Sequence, residues 1–147
     1  MSRENKATVR RMLEALSARP EEAPAIVADF WDADGDYYPV RKFPEARPCH
    51  GPEDISRFLT DYVEAWSYRY AIKELIEVSD DRVLVCATLH AEGRGSEIKL
   101  EGDIYHCIWL RHGRFFRQED HLTVRGALHA LGLDGGTLEA AGLRAAE

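Results

Sequence analysis

The chain lacks a long apolar run, an excess of basic charge and enough cysteine for a disulfide framework. A membrane-spanning helix needs about 20 consecutive apolar residues, and no segment approaches that length. Lys and Arg number 19 against 26 Asp and Glu, giving a net charge of −7 that leaves no basic face for a nucleic-acid backbone. These deficits argue against a membrane protein and against a protein that binds DNA or RNA.

The few cysteines also form no metal-binding pattern. Cys49, Cys86 and Cys107 match no zinc-ligand spacing, and the last two lie in strand-like segments where small core residues are expected. The first residues, Met1–Lys6, lead into an amphipathic helix instead of the apolar core of a signal peptide. The sequence therefore predicts a cytoplasmic protein with reduced thiols.

The first half of the chain contains apolar residues at helical spacing. They recur in this way over residues 3–17, and Pro20 ends the predicted helix. A second, shorter helix is predicted to include Trp31. The third and clearest helix starts at Gly51-Pro52, because proline is favoured at the first helical position.

Three short elements are predicted between the second and third helices. Asp32–Asp36 is predicted as a turn, because Asp and Gly favour turn conformations. Residues 37–40 are predicted as a short edge strand, since Pro39 cannot donate a hydrogen bond to a central ladder. An irregular loop is expected over residues 41–50.

From Tyr68 onward the apolar pattern changes to a period of two, which predicts long strands. The first strand places alternate residues from Tyr68 to Val78 on one face, and the second does the same from Val83 to Leu89. Gly93–Ser96 is a hairpin signal. The last strand is predicted over residues 115–122, and a helix follows over residues 124–131.

His106 is the most informative residue of the sequence. It interrupts an apolar strand face whose other members are Ile98, Leu100, Ile104, Ile108 and Leu110. A titratable imidazole among aliphatic side chains must find a hydrogen-bond partner, change its pKa or face a cavity. The pattern therefore predicts either a core histidine bonded to a neighbour or a ligand-binding pocket at His106.

Helices first and an antiparallel meander afterwards predict an α+β fold. We expect a strongly curved antiparallel or mixed β-sheet wrapped around the N-terminal helices, forming a cone with an internal pocket for a small apolar ligand. Residues 1–133 are predicted to form a single domain, and the Gly- and Ala-rich residues 134–147 a loosely ordered tail.

Four segments, in this order and spacing, resemble a known family. The arrangement is similar to the SnoaL-like branch of the nuclear-transport-factor-like cone fold, whose members include ketosteroid isomerases, scytalone dehydratases, limonene-epoxide hydrolases and polyketide cyclases. The segments are Phe30–Val40, Gly51–Leu59, Tyr105–Arg114 and Glu119–Leu122. The resemblance implies a homodimer formed through the sheet and a small-molecule pocket.

The resemblance also locates candidate catalytic positions. His106 stands where the isomerases carry the acid that helps to hold an oxyanion, a carboxylic acid that its apolar surroundings keep neutral. Tyr38 stands near the place of their general-base Asp, and Met12 near that of their helix-borne Tyr. The isomerase base and tyrosine are therefore absent in their usual form.

The last strand supplies the remaining candidates. Alternation places Glu119 and His121 on one face and Asp120 on the other, but a bulge would exchange the two faces, so the inward residue stays open. The candidate catalytic residues are His106 as acid or oxyanion donor, His121 or Asp120 as base, and Tyr38 in support. The expected ligand-binding residues are Trp31, Tyr62, Trp66, Ile104 and Ile108.

These residues favour a protein that binds a small, mostly apolar molecule. The chemistry implied by the resemblance is isomerisation, cyclisation or dehydration of a polyketide- or steroid-like substrate by general acid–base catalysis, which requires neither a metal nor an organic cofactor. Two alternatives remain. One is a non-catalytic ligand-binding module, and the other is a structural dimer whose apolar outer sheet face includes Cys107 and Trp109.

Overall fold

A six-stranded mixed sheet forms one wall of the fold, and three helices fill its concave side. In the computed structural model, residues 2–40 and 46–133 are described, with side chains from residue 4 onward. The elements in chain order are α1 (Ser2–Ala18), a short 3-10 helix (Pro20–Glu22), α2 (Ala23–Phe30), β1 (Trp31–Tyr38), β2 (Cys49–His50), α3 (Gly51–Ala65), β3 (Trp66–Ser79), β4 (Arg82–Gly93), β5 (Lys99–Arg111), β6 (Arg114–His121) and α4 (Val124–Leu131). The loosely ordered tail predicted over residues 134–147 lies outside the described residues.

The sheet order is β2-β1-β6-β5-β4-β3, and β3 to β6 form the predicted antiparallel meander. β1 pairs with β6 in parallel, which makes the sheet mixed. The α+β class and the curled sheet around the N-terminal helices are therefore confirmed. Among the described residues, no helix is both long enough and apolar enough to span a membrane.

The prediction of a turn over Asp32–Asp36 is wrong, because β1 runs through this segment. Its pairing with β6 shifts between Trp31 and Asp36, and the Asp34 N–H donates to the Asp32 carboxylate at 2.9 Å. This local bond is the one that the Asp-rich pattern favours in turns. The Trp31 ring lies over Gly35, and one of its atoms is 2.6 Å from where a Cβ of this residue would stand, so only glycine fits at this position. Trp31 is the first residue of β1 and not part of the second helix.

The concave face holds the main core, as the periodicity predicts. α1 contributes four buried side chains at helical spacing, and β4 contributes alternate residues; the two sets are Val9, Met12, Leu13 and Leu16, and Val83, Val85, Ala87 and Leu89. Burying a large aliphatic or aromatic side chain stabilises the fold by about 1.5–3 kcal/mol. Ile98 precedes β5 and Leu100 lies near its start. Both side chains are exposed, although the apolar pattern predicts them on the same buried face as His106.

A bulge in β3 divides its predicted apolar face. Ile72 pairs with Ala87 and Glu74 pairs with Cys86, so one extra residue lies between these pairs. Beyond this point Leu75 faces the main core, whereas Ile76 packs on the opposite side of the sheet. The single face predicted from Tyr68 to Val78 is therefore correct only before the bulge.

Helix α4 covers part of the convex side of the sheet. Thr123 caps its N-terminus by accepting the Gly126 N–H at 3.0 Å, and Gly132 ends it with a left-handed φ of 70°. The Cys107 thiol donates to the Ala127 carbonyl at 3.5 Å beneath this helix. Cys107 is fully buried, so it is not available as the dimer contact suggested by the sequence.

Candidate functional site

His106 lies in the middle of β5 and is completely buried on the concave face. Its strand neighbours are Val85 on β4 and Asp120 on β6. The Nδ1 atom of the imidazole lies 2.6 Å from Oδ1 of Asp120, which is only 7% exposed. The site is therefore built on a cross-strand pair of a histidine and a carboxylate inside an apolar core.

A bulge at Phe116 determines which β6 residues face this site. Trp109 pairs with Arg117 and Leu110 with Phe115, so Phe116 is the extra residue. Strict alternation from the buried Phe115 would turn Glu119 inward, and the bulge instead turns Asp120 inward. The bulge at this one position therefore decides which residues of β6 point inward, a question that alternation in the sequence does not settle.

Three donors surround the Asp120 carboxylate. In addition to His106, the Tyr37 hydroxyl donates to Oδ2 at 2.7 Å and the Gln118 amide donates to Oδ1 at 2.9 Å. Burial alone would raise the pKa of Asp120, but the His106 charge and the hydrogen bonds from His106, Gln118 and Tyr37 outweigh it and hold the pKa below its usual range. Burial and the neighbouring Asp120 charge raise the pKa of Tyr37 well above its usual value.

The proton positions follow from this environment. An ionised carboxylate is acceptor-only, so the Nδ1 atom of His106 carries the proton that it shares with Asp120. The other ring nitrogen, Nε2, is buried and has no hydrogen-bond partner among the residues that the structure describes. In the neutral imidazole Nε2 is a base with a free lone pair, and in the imidazolium it is an acid.

Two of the predicted catalytic residues lie on the other side of the sheet. Tyr38 points outward, where the Arg117 guanidinium stacks on its ring at 4.5 Å. His121 also points outward, with Nε2 lying 3.4 Å from a carboxylate oxygen of Glu119. Neither residue meets His106. The phenol that reaches the site belongs to Tyr37, one position earlier in β1, because the register of β1 with β6 places Tyr37 beside Gln118 and Tyr38 beside Glu119.

Two small cavities lie in the concave core next to this cluster. Each has a volume of about 20 Å³, room for roughly one water molecule. Residues of α1 line the first, and Val40, Phe58 and Asp120 are among the residues that line the second. The side chains of Tyr37, Leu59 and Tyr70 line both cavities and separate them.

The predicted ligand-binding residues are distributed around these cavities. Trp31 lines the first cavity, and Tyr62 and Ile104 line the second. Trp66 is partly buried and stacks on Tyr62 with ring centroids 6.5 Å apart. Ile108 is fully buried in the core and lines neither cavity. Sequence reasoning missed Gln118, which shows no signal except its place two residues before Asp120.

Within residues 2–40 and 46–133, no group of three or more His, Cys, Asp or Glu side chains is placed to hold a metal ion. The three cysteines described there are buried thiols. Burial raises the pKa of the Cys49 and Cys86 thiols to about 11, which keeps both protonated and unreactive. The polar chemistry of the concave core therefore depends on His106, Asp120 and their hydrogen-bond donors.

Acid conditions should weaken the wild-type fold through Asp120. Its folded-state pKa is lowered, so its contribution to stability is present above the unfolded-state pKa of about 3.9 and is lost as the pH falls through the folded value. We expect Asp120→Asn to remove this part of the acid dependence. Urea unfolding at pH 5 and pH 3 measures the free energy of unfolding at each pH. The Glu119→Gln variant should show the same difference between the two pH values as the wild type. An unchanged difference in Asp120→Asn would contradict the assignment.

The curled mixed sheet around three helices, with its polar cluster on the concave face, is the fold of the nuclear-transport-factor-like and ketosteroid-isomerase-like proteins. The family model of the SnoaL-like domain matches residues 9–118. The chain therefore belongs to the SnoaL-like domain family. No curated protein matches this chain in sequence.

Several solved structures share this fold at low sequence identity. An NTF2-like protein of unknown function from Burkholderia pseudomallei is 22% identical with a TM-score of 0.71, over 88% of this chain and 97% of that one. TerC, co-crystallised with polyporic acid, is 23% identical with a TM-score of 0.67, over 87% of this chain and 97% of TerC. An LEH-like epoxide hydrolase of Mycobacterium tuberculosis is 17% identical with a TM-score of 0.67, over 89% of this chain and 94% of the hydrolase. At these identities the likeness shows the fold alone.

Proposed function

We propose that this protein binds a small, mostly apolar molecule inside the cone and moves a proton on it through Nε2 of His106. The observation that carries this proposal is the buried Nε2 atom without a partner among the described residues, on a ring whose Nδ1 is fixed by Asp120. Buried polar atoms are nearly always hydrogen-bonded, so Nε2 is the position in this apolar core at which a polar atom of a ligand would be accommodated.

His106 acts as the general base in this proposal. In the neutral ring, Nε2 removes a proton from a carbon next to a carbonyl group, and the C–H electron pair moves into the carbonyl to form an enolate. The imidazolium that results is stabilised by the Asp120 carboxylate at 2.6 Å. Return of the proton from Nε2 to another atom of the substrate completes an isomerisation, and return to a departing hydroxyl completes a dehydration.

The other residues of the cluster position Asp120. Tyr37 and Gln118 donate to its two oxygens, which holds the carboxylate in the plane that the imidazole requires. In this proposal the base is His106 itself, instead of His121 or Asp120. It also differs from the ketosteroid isomerases, because Met12 lines the cavity where their tyrosine would stand.

The aromatic and aliphatic side chains that line the core support the proposal of a polyketide- or steroid-like ligand. The second cavity is lined largely by aromatic and aliphatic side chains, among them Phe58, Tyr62 and Ile104. Such surfaces suit planar rings. TerC, which shares the fold, was crystallised with polyporic acid, and an LEH-like epoxide hydrolase shares the fold as well. A cytoplasmic location and a homodimer formed through the sheet also stay predictions.

A second candidate function is a binding module without catalysis. It is favoured by the complete burial of His106 and by cavities that hold about one water molecule each. In that case the His106–Asp120 pair is a structural element of the core. The two functions differ in whether a bound ligand reaches Nε2 and exchanges a proton with it.

Nuclear magnetic resonance of the imidazole distinguishes these cases. We expect 2-tetralone, 1-decalone or a related apolar cyclic ketone to shift the Nε2 resonance of His106 and to leave that of His121 unchanged. The protein is labelled with ¹⁵N-histidine, and the ketones are added one at a time. If no ketone of the panel shifts the His106 resonances, the proposal is rejected and the His106–Asp120 pair is structural.

A further inference from the structure

Tyr70 separates His106 from the two cavities. Its ring meets the imidazole edge-on, with centroids 4.9 Å apart and planes at 88°. The same ring lines both cavities, whereas His106 lines neither. A ligand in either cavity therefore meets Tyr70 before it can approach Nε2.

The three side chains that divide the cavities are not equally fixed. The Tyr37 hydroxyl is bonded to Asp120 at 2.7 Å, and its side chain is buried. Leu59 belongs to α3, and its side chain is also buried. Tyr70 is partly buried, with burial raising the pKa of its phenol, and its backbone N–H donates to the Ser17 hydroxyl at 3.0 Å; its hydroxyl takes part in none of the side-chain hydrogen bonds among the described residues. Rotation of the Tyr70 side chain therefore breaks no hydrogen bond inside the described part of the chain.

We propose that Tyr70 controls access to the site: its side chain must turn away before a ligand reaches His106, where Nε2 then accepts a hydrogen bond from a ring compound that carries a donor. Turning the ring to another staggered position joins the two cavities and uncovers the imidazole. The incoming ring replaces the edge contact that Tyr70 made with His106. This inference rests on the proposed function, since it concerns access to the same Nε2 atom.

The preference of Nε2 for a hydrogen-bond donor follows from the bond at the other ring nitrogen. The Nδ1–H of His106 donates to the Asp120 carboxylate, so the neutral imidazole offers only a lone pair at Nε2. A ligand with a hydroxyl group satisfies this atom, and one of the same shape with a methyl group leaves it unsatisfied. Phenol and toluene form such a matched pair.

Tyr70→Ala tests the inference with these two probes. The substitution removes the ring, so phenol should bind at least about tenfold more tightly than to the wild type, as expected when an apolar cavity is opened in a core. Phenol should shift the ¹⁵N resonance of Nε2 in the variant, whereas toluene should bind and leave this resonance nearly unchanged. Titrations followed by histidine ¹⁵N spectra measure both effects.

Leu110→Ala is the matched control. Leu110 is buried in the same core at 6% exposure and lines neither cavity, so its truncation should not change phenol binding at His106. If Tyr70→Ala does not fold, as judged by circular dichroism, Tyr70→Leu keeps apolar volume while removing the planar ring. Phenol affinity at the wild-type level in the folded Tyr70 variant, or equal Nε2 shifts with phenol and toluene, would overturn the inference.

The outcomes also separate this inference from the proposed function. Phenol bound at Nε2 in the Tyr70 variant, together with no proton transfer by the wild type on any ketone, supports the role of Tyr70 in access and rejects the catalysis. Proton transfer by the wild type, together with unchanged phenol binding in the Tyr70 variant, supports the catalysis and rejects the role of Tyr70.

Discussion

Asp120→Ala is expected to lower the free energy of unfolding by about 3–5 kcal/mol. The substitution removes the acceptor of three buried donors, which are His106 Nδ1, the Tyr37 hydroxyl and the Gln118 amide. Each buried donor left without an acceptor costs about 1–3 kcal/mol, and part of this cost is recovered where the neighbours rearrange. Denaturant unfolding followed by circular dichroism at pH 7 measures the change.

Glu119→Ala provides the control on the adjacent residue. Glu119 faces the convex side, where its carboxylate pairs with the partly exposed Arg117 at 2.7 Å. Exposed pairs of this kind contribute about 0–1 kcal/mol, so the control variant should stay near the wild type. Similar losses in both variants would show that the Asp120 cluster is not a buried network.

Those parts of the fold that depend on hydrophobic periodicity could be predicted from the sequence. The third helix begins where predicted, because Gly51 adopts a φ of 80° that favours glycine and Pro52 occupies the first turn. The two faces of β4 also follow alternation: Val85 packs in the main core and Cys86 under α4. In these segments local preference and tertiary packing favour the same structure.

The parts that could not be predicted depend on irregular backbone. Nothing in the sequence identifies Phe116 as the extra residue of a bulge, yet this position decides that Asp120 and not His121 faces the core. Likewise, Asp32–Asp36 has turn composition, but pairing with β6 draws it into the sheet. The choice of Tyr37 over Tyr38 depends on the same pairing register, which a single sequence does not reveal.

The composition of the site is itself an argument for function. A buried ion pair or charged hydrogen-bond network contributes no more stability than well-packed apolar residues of similar volume, because both groups lose their hydration. His106 lies between Ile104 and Ile108 on a face that aliphatic residues would fill well. A network of three polar side chains around one carboxylate, with Nε2 left open, is therefore better explained by chemistry than by stability.

His106→Asn is expected to reduce proton transfer to a bound ketone by a factor of about 10² to 10⁴, the usual contribution of a general base. Asparagine can still donate its amide to Asp120, so the loss of stability should be smaller than in Asp120→Ala. Deuterium incorporation next to the carbonyl of 2-tetralone in D₂O, followed by proton NMR, measures the rate. Wild-type protein that does not accelerate exchange for any ketone of the panel would favour the binding module instead.

The control for this experiment is the histidine on the opposite face. His121→Asn removes an imidazole that is paired with Glu119 on the convex side and does not meet the concave core. If His106 is the base, exchange in this variant keeps the wild-type rate, and the pH dependence of exchange changes only in the His106 variant. Equal losses in the two variants would contradict the assignment of the base to His106, because the two imidazoles lie on opposite faces of the sheet.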